Sequence, residues 1–240
     1  CGQLLADGGA DVIKVESLEG DETRRNGAIV PGEGRQFLNK KRGKRSLAVD
    51  LSDPEVSSAV RALVLSMDVV VANFRPGQAR RHGLDYESLS RANPRLIYAE
   101  NTAYGRNGPM ADAPGMDVVL AGYSGLLNIT ADGPMPPPAP IIDSTAGLLL
   151  AWGVSTALYN RERTGKGQRL DVALLQAALV LQNNHINHVD VIDNWREEFV
   201  EYLKHAFAGG ASWADVLAKR DELQPHVPAR VYYGFLRTSD

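Results

Sequence analysis

The chain has 240 residues, which corresponds to about 1.6 domains at about 150 residues per domain. Its 44% hydrophobic and 23% charged residues are typical of a soluble globular protein and exclude disorder over most of the chain. The net charge of -3 argues against nucleic acid as the main partner. The single cysteine, Cys1, excludes an internal disulfide framework and favours a reducing, cytoplasmic location. We expect no membrane span or targeting segment, because no apolar run approaches roughly 20 residues.

The first hundred residues alternate between predicted strands and helices. Helices are predicted at 2–8, 53–66 and 85–92, and strands at 11–16, 46–51, 67–72 and 95–100. A polar, glycine-rich loop extends from the first strand to about Gln36. This order predicts an α/β fold with a Rossmann-like, doubly wound, mainly parallel sheet, in which ligands bind at the carboxyl ends of the strands.

From about Asp117 the sequence becomes more helical. Five prolines between residues 132 and 140 predict a rigid connector. The remaining predicted elements are an apolar helix from 143 to about 161, a turn at 164–168, a strand at 169–172, a helix to about 185 and irregular polar helices over 186–226. Because the chain opens with Cys1 and closes on a strand-like stretch at 230–237, we expect it to be a fragment.

Five cations occupy the six positions from Lys40 to Arg45, directly before a predicted strand. Such a run is most often a solvated charged face. Nucleic-acid binding is an alternative, weakened by the lack of interleaved aromatic residues. A clamp for the phosphates of a polyanionic ligand is another.

The stretch Asn73, Phe74 and Arg75 directly follows the most apolar predicted strand, where sheets of this type bind ligands. Asparagine offers an amide, phenylalanine a face for an adenine ring, and arginine a fork for phosphate or carboxylate. The alternative is an ordinary βα turn made by Pro76 and Gly77.

Asp143 lies between an apolar stretch and an apolar helix. Aspartate is a favoured helix N-cap, which is one interpretation. The other is a nucleophile, because a carboxylate can attack an acyl carbonyl to form an anhydride and then a thioester. A helix N-terminus would favour its ionised form. The five histidines are scattered, so no metal site is predicted.

An ordered set of short motifs resembles the class III CoA-transferases, a family that includes the α-methylacyl-CoA racemases and the carnitine CoA-transferases. The motifs span roughly residues 1–185. They lie at 2–7, 9–16, 39–42, 46–51, 73–77, 83–84, 93–98, 104–105, 108–109, 115, 117 and 164–168. The resemblance implies a large CoA-binding domain over 1–226 without its first strand, the start of a truncated small domain at 227–240, and an interlocked homodimer without nucleic acid or membrane.

The resemblance also assigns site residues. Asp143 takes the position of the family's catalytic aspartate. Asp117 matches an acid near the active site of some transferases, and a buried structural acid is its alternative. Coenzyme A is implied to lie near seven residues: Val49, Asp50, Leu51, Asn73, Phe74, Arg75 and Arg81.

The implied reaction is the transfer of CoA between an acyl-CoA and a free carboxylic acid through Asp143, without a metal. Racemases of the family use a histidine directly before the position of Asp117. That position here is Met116, which cannot accept a proton, so transfer is favoured over racemisation. A non-catalytic CoA-binding protein is a third hypothesis, and the acyl group is left open.

Overall fold

The computed structural model describes residues 1–25, 27–31, 33–75, 77–182 and 186–225. The chain separates into two compact units. The first consists of Cys1–Gly125 and Pro138–Leu181, and the second of Leu126–Pro137 and the chain from Gln182 onward.

The first unit begins with two parallel strands. Its elements in chain order are α1 (Gly2–Asp7), β1 (Val12–Glu16), β2 (Ala28–Val30), β3 (Glu33–Gly34), α2 (Arg35–Lys41) and β4 (Lys44–Ala48). β1 pairs in parallel with β4, and β2 pairs antiparallel with β3. The predicted loop up to Gln36 is therefore wrong in part, because it contains this hairpin and the start of α2. Phe37 of α2 packs under the guanidinium of Arg24, 3.9 Å from its ring centre, and this tertiary contact leaves no periodic signal in the sequence.

Glu16 ends β1 with a buried side chain that is 4% exposed. It accepts hydrogen bonds from Lys14 at 3.0 Å, from Arg24 at 3.1 Å and from the Ser46 hydroxyl of β4. Burial opposes ionisation, but these hydrogen bonds outweigh it and lower the pKa of Glu16 to about 2. The carboxylate therefore joins the two strands as an anion at neutral pH.

A second parallel sheet forms the core of the first unit. The next elements are α3 (Pro54–Leu65), β5 (Val69–Ala72), α4 (Gln78–Arg81), α5 (Tyr86–Ala92), β6 (Ile97–Thr102) and α6 (Asp117–Ser124). The side chain of Asp53 accepts from the N–H of Glu55 at 2.8 Å and so begins α3, with Pro54 in the first turn. The elements that follow Pro138 are α7 (Ile141–Thr164), β9 (Arg169–Ala173) and α8 (Leu174–Val180).

β6 lies between β5 and β9 and is parallel to both. Its residues Ile97 to Ala99 are buried, because helices cover both faces of the sheet. Ala99 packs with Leu150 and Val154 of α7, whereas Tyr98 packs with a cluster on the opposite face. The predicted α/β class with parallel strands is confirmed. In the described residues these strands form two separately hydrogen-bonded sheets.

Helix α7 has 24 residues, and an 18-residue window within it has a mean hydropathy of 1.4. By length and composition alone it could cross a membrane, although core helices of soluble proteins pass the same test. Its buried Arg161 forms an ion pair with Asp68 at 2.8 Å, and α7 packs along β6 and β9. These contacts are typical of a core helix, and the expectation of no membrane segment stays a prediction.

The second unit contains a hairpin and three helices among its described residues. The antiparallel strands are β7 (Asn128–Thr130) and β8 (Gly133–Met135), and the helices are α9 (Asp190–Asp193), α10 (Trp195–Ala206) and α11 (Trp213–Leu223). The predicted proline connector is thus wrong over 133–135. Pro134 lacks an N–H but fits the short β8 strand, where it lies opposite Ile129.

The helices predicted over 186–226 are confirmed in α10 and α11, and α11 begins with a capping box between Ser212 and Asp215. The predicted strand at 230–237 and the predicted domain start at 227–240 lie outside the described residues. The predicted domain boundary stays a prediction.

Candidate active site

Two carboxylates meet where α6 and α7 begin. Asp117 is the first residue of α6 and Asp143 is the third residue of α7. The backbone N–H of Asp143 donates a hydrogen bond to Oδ2 of Asp117 at 2.9 Å. Since the first N–H groups of a helix have no partner within it, Asp117 supplies one from a distant segment. The side chain of Asp117 therefore holds the first turn of α7 in place.

The interpretation of Asp143 as the cap of its own helix is wrong. Pro140 occupies the N-cap position, and no side chain forms a cap hydrogen bond at this end of α7. The hydroxyl of Ser144 donates to the carbonyl of Pro140 at 2.8 Å and stabilises the same turn. The Asp143 carboxylate is thus not used in holding the helix.

Charge and burial act together on Asp143. Partial burial raises the pKa of the Asp143 carboxyl, the negative charge of Asp117 raises it further, and Lys40 opposes both. Solvent still reaches Asp143. A more basic carboxylate is a better nucleophile, and the N-terminal end of α7 favours its ionised form. The site therefore presents an accessible carboxylate of raised basicity.

A cleft of about 660 Å³ opens at the carboxyl ends of β5 and β6. Asn73, Phe74 and Arg75, which follow β5, line it as the sequence predicted for a ligand-binding edge. Met116 and Val119 line it as well. Because Met116 directly precedes Asp117, this wall of the cleft is continuous in sequence with the carboxylate pair.

The three residues after β5 are held in different ways. The side-chain amide of Asn73 donates to the carbonyl of Asn101 at 2.8 Å and so joins the ends of β5 and β6. Phe74 is half-buried against the apolar cluster that includes Leu89. Arg75 is exposed, and its guanidinium forms no ion pair within the described residues. Of the three, Arg75 is therefore the one whose charge is free for a ligand.

Four other predicted CoA-binding residues do not line this cleft. Val49, Asp50 and Leu51 form the turn after β4, where the N–H of Val49 donates to the carbonyl of Glu16. Hydrogen bonds from Ser52 lower the pKa of Asp50. Arg81 is the exposed last residue of α4. The predicted set is thus divided between two places on the first unit.

The cleft also contains charged residues that sequence reasoning missed. Arg169 of β9 forms ion pairs with Glu87, Glu100 and Asp171, and Arg106 pairs with Glu87. Glu87 and Glu100 lie 82 and 69 residues before Arg169. The parallel pairing of β6 and β9 brings Glu100 to Arg169, and Glu87 reaches Arg169 from α5, so no local motif indicates either ion pair.

The basic run from residue 40 to 45 is divided between α2 and β4. Lys41 pairs with Asp21, Arg42 with Asp7, and Arg45 with Asp11. The ammonium group of Lys44 donates to the carbonyl of Lys40. Acids within the same unit therefore neutralise three of the five cations, and Lys40 acts on the pKa of Asp143. In the described ranges no group of three His, Cys, Asp or Glu side chains could hold a metal ion.

Comparison with known proteins identifies the family. The sequence model of CoA-transferase family III matches residues 1–199. The chain belongs to CoA-transferase family III. The resemblance noted from the motifs is confirmed, and with it the Rossmann-like α/β fold of the family.

Individual relatives agree with this assignment. The chain is 42% identical over 200 residues to succinate–glutarate CoA-transferase of Agrobacterium fabrum, covering 78% of this chain and 50% of that protein. It is 37% identical to acetyl-CoA:oxalate CoA-transferase of Acetobacter aceti, covering 73% of this chain and 46% of that protein. A CaiB/BaiF family protein of Brucella suis superposes with a TM-score of 0.71 at 41% identity, covering 76% and 50% of the two chains. The chain spans about half the length of the curated relatives it matches.

Proposed function

We propose that this chain carries the nucleophile of a CoA-transferase that moves CoA from an acyl-CoA to a free carboxylic acid. The observation that carries the proposal is the contact between Asp117 and Asp143. The Asp143 carboxylate is accessible to solvent and forms no helix-capping hydrogen bond. The negative charge of Asp117 lies beside it. Membership of the family supports the class of reaction, and the geometry supports Asp143 as the nucleophile.

The proposed first half-reaction takes place in two steps. A carboxylate oxygen of Asp143 attacks the thioester carbonyl carbon, and the C–S bond breaks. CoA leaves as a thiolate, and a mixed anhydride between Asp143 and the donor acid remains. The thiolate then attacks the carbonyl carbon of Asp143, which releases the donor acid as a carboxylate and leaves an aspartyl-CoA thioester. In the second half-reaction the acceptor carboxylate repeats these steps in reverse order and leaves as the new acyl-CoA.

Residues around the pair have defined parts in this proposal. Asp117 positions the first turn of α7 through its hydrogen bond to the Asp143 backbone and raises the basicity of the nucleophile. Lys40 and the N-terminal end of α7 keep Asp143 ionised. Arg75 contributes a cation for the phosphates of CoA at the cleft. The names of the relatives include succinate, glutarate and oxalate, so we propose a carboxylic acid acceptor without choosing one.

Racemisation is the weaker candidate for this site. Met116 is 63% exposed at the wall of the cleft, directly before Asp117. A thioether cannot exchange a proton with an α-carbon, so the second acid–base group that racemisation needs is not provided at this position. We expect no exchange of the substrate α-proton with deuterated solvent in the absence of an acceptor acid.

We also propose that the protein functions as an interlocked homodimer at its full natural length. Helix α7 exposes Leu148 and Trp152, at 57% and 71%, on one side of the helix, and exposed apolar surface of this kind marks protein contacts. Light scattering should give twice the monomer mass, and Trp152→Glu should weaken the assembly. A monomer at every concentration would contradict the proposal.

The test of the transfer function is substitution of the nucleophile in the protein at its full natural length. Asp143→Asn should lower the rate of CoA transfer by at least about 10³-fold, which is about 4 kcal/mol of barrier. Asp132→Asn, an exposed carboxylate of the second unit, is the matched control and should transfer at the parent rate. Normal transfer by Asp143→Asn would overturn the proposal.

A further inference from the structure

Three side-chain oxygens of cleft-lining residues are buried and have no hydrogen-bond partner within the described residues, and two of them belong to residues that are at least nine-tenths buried. These two are the hydroxyl of Tyr98 and Oδ2 of Asp85, in residues that are 1% and 9% exposed. Both residues line the cleft. Buried polar groups are almost always paired, because an unpaired one forfeits its hydrogen bonds to water. The third oxygen is that of the Asn101 side chain, which also lines the cleft, but Asn101 is only partly buried and is on the opposite face of β6 from Tyr98 by strand alternation.

Both groups are held rigidly by their surroundings. Oδ1 of Asp85 accepts the N–H of Ser88 at 3.0 Å and caps α5, which fixes the carboxylate and leaves Oδ2 free. The Tyr98 ring packs against Leu89 and against the ring of Tyr86, with ring centres 6.0 Å apart. These two atoms form what we call the cleft floor, an arrangement that exists before any ligand binds.

The charges around the cleft floor disfavour an anion there. Arg169 lies over the Tyr98 ring at 5.7 Å, but its charge and that of Arg106 are shared among Glu87, Glu100 and Asp171. Two arginines thus face these three carboxylates, and Asp85 adds another negative charge. A phosphate or carboxylate at the cleft floor would be repelled, whereas a neutral hydrogen-bonding group would not.

The exposed side of the cleft has the opposite character. Arg75 and Arg80 line it, are exposed, and form no ion pair in the part of the chain that the structure describes. A ligand that carries phosphates would place them at these two guanidinium groups. The cleft is therefore graded from cationic at its exposed side to anionic at its floor.

We propose that the cleft floor binds a neutral group that presents a hydrogen-bond donor beside an acceptor, the donor to Oδ2 of Asp85 and the acceptor to the hydroxyl of Tyr98. Burial raises the pKa of Tyr98, and the charge of Glu100 raises it further, so the hydroxyl is protonated and can donate. This inference rests on the proposed function, in which the ligand is CoA. Within CoA, the amides of the pantetheine half and the amino edge of adenine share this chemistry.

The test is the affinity for CoA, measured by calorimetry on the protein at its full natural length. Tyr98→Phe should bind CoA about tenfold more weakly, the effect of one lost hydrogen bond. Its thermal unfolding temperature should be equal to or higher than that of the parent, because the hydroxyl has no hydrogen-bond partner among the residues that the structure describes. Tyr159→Phe, an exposed hydroxyl on α7, is the matched control and should bind CoA normally. Unchanged CoA affinity in Tyr98→Phe would overturn the proposal.

A second variant keeps the proposal falsifiable. Asp85→Asn retains an oxygen to cap α5 but replaces the free acceptor with a donor, so it too should weaken CoA binding about tenfold. Pantetheine and adenosine 3′,5′-bisphosphate then distinguish the two halves of CoA. The half that loses affinity in Tyr98→Phe occupies the floor, and no loss with either half would contradict the proposal.

The outcome is separable from that of the proposed function. Asp143→Asn should bind CoA as the parent does and fail only in transfer. Normal transfer by Asp143→Asn would overturn the proposed function without affecting the proposal for the cleft floor. Unchanged CoA affinity in Tyr98→Phe would overturn the proposal for the cleft floor without affecting the proposed function. Absence of CoA binding by the parent protein would overturn both.

Discussion

Glu16 and Asp143 are carboxylates of the same unit in opposite electrostatic settings. Glu16 is buried among two cations and a hydroxyl, and these partners lower its pKa to about 2 in spite of burial. Asp143 is accessible, and burial together with Asp117 raises its pKa. The comparison shows that the number of hydrogen-bond and ion-pair partners distinguishes a structural carboxylate from a reactive one better than the depth of burial does. Glu16 is fully engaged by the fold, whereas Asp143 is available for chemistry.

The largest expected effect on stability is at Glu16. Glu16→Gln should lower the free energy of unfolding at pH 7 by about 3 kcal/mol, because Arg24 loses its carboxylate partner and Lys14 keeps only Asp21. A carboxyl whose folded pKa is lowered stabilises the protein above its unfolded pKa of about 4.3 and loses that effect as the pH falls towards 2. Urea denaturation from pH 7 to 2 measures both.

Glu19→Gln is the control for this experiment. Glu19 pairs with Arg25 at the surface, so its loss should cost less than about 0.5 kcal/mol. If Glu16→Gln were as stable as the parent and showed the same decline in acid, Glu16 would not be the structural acid described above.

The next effect concerns the wall that leads to Asp117. A Cβ added at Gly115 would lie 2.6 Å from Cβ of Ala103 and 2.7 Å from Cδ2 of Leu120, which is too close for either atom. Gly115→Ala should lower the free energy of unfolding by about 1–3 kcal/mol, because the wall must shift to admit the methyl group.

Gly153→Ala in α7 is the matched glycine control. Its Cβ would make an ordinary contact with Leu170 at 3.6 Å, and alanine favours a helix, so stability should stay equal or rise by up to about 1 kcal/mol. Equal stability of Gly115→Ala and the parent in thermal unfolding would show that the wall is looser than its contacts indicate.

A smaller effect separates the charge of Asp117 from its hydrogen bond. Asp117→Asn keeps an oxygen to accept the N–H of Asp143 but removes one of the two causes that raise the pKa of Asp143. The acidic limb of the profile of kcat/KM against pH should therefore move to lower pH. A limb that stays in place or moves to higher pH would show that Asp117 does not act on Asp143 by charge.

The smallest effect is on stability at Asp143 and has the opposite sign to that at Glu16. A carboxyl whose folded pKa is raised destabilises the fold once the pH exceeds its unfolded pKa, so the cost is present at pH 7 and absent in strong acid. Asp143→Asn should raise the free energy of unfolding at pH 7 by less than about 1 kcal/mol, because solvent screens the site. Destabilisation by this variant in urea denaturation would contradict the comparison.

The central sheet could be predicted from the sequence because its strands are short apolar runs. The strands predicted at 67–72 and 95–100 occur as Val69–Ala72 and Ile97–Thr102, displaced by about two residues at some ends. The elements that were missed lack such a signal. The hairpin of β2 and β3 lies in a glycine-rich stretch, and the β8 strand contains prolines, so tertiary pairing overrides local preference in both.

The candidate site likewise contains residues that could be predicted from the sequence and contacts that could not. Asn73 to Arg75 could be placed at the cleft because residues that follow a buried parallel strand reach the ligand-binding edge of the sheet. The resemblance to the family indicated Asp117 and Asp143. Their hydrogen bond joins the first turns of two helices 26 residues apart, and the unpartnered hydroxyl of Tyr98 depends on packing from several elements. Neither leaves a pattern in the sequence.

Covalent trapping tests the central claim most directly. The protein at its full natural length is incubated with an acyl-CoA donor and then with hydroxylamine, which converts an aspartyl anhydride or thioester into a hydroxamate, and the modified peptide is located by mass spectrometry. The hydroxamate should form on Asp143 and require the acyl-CoA. Transfer that proceeds without modification of Asp143, or with the hydroxamate on another carboxylate, would contradict the account.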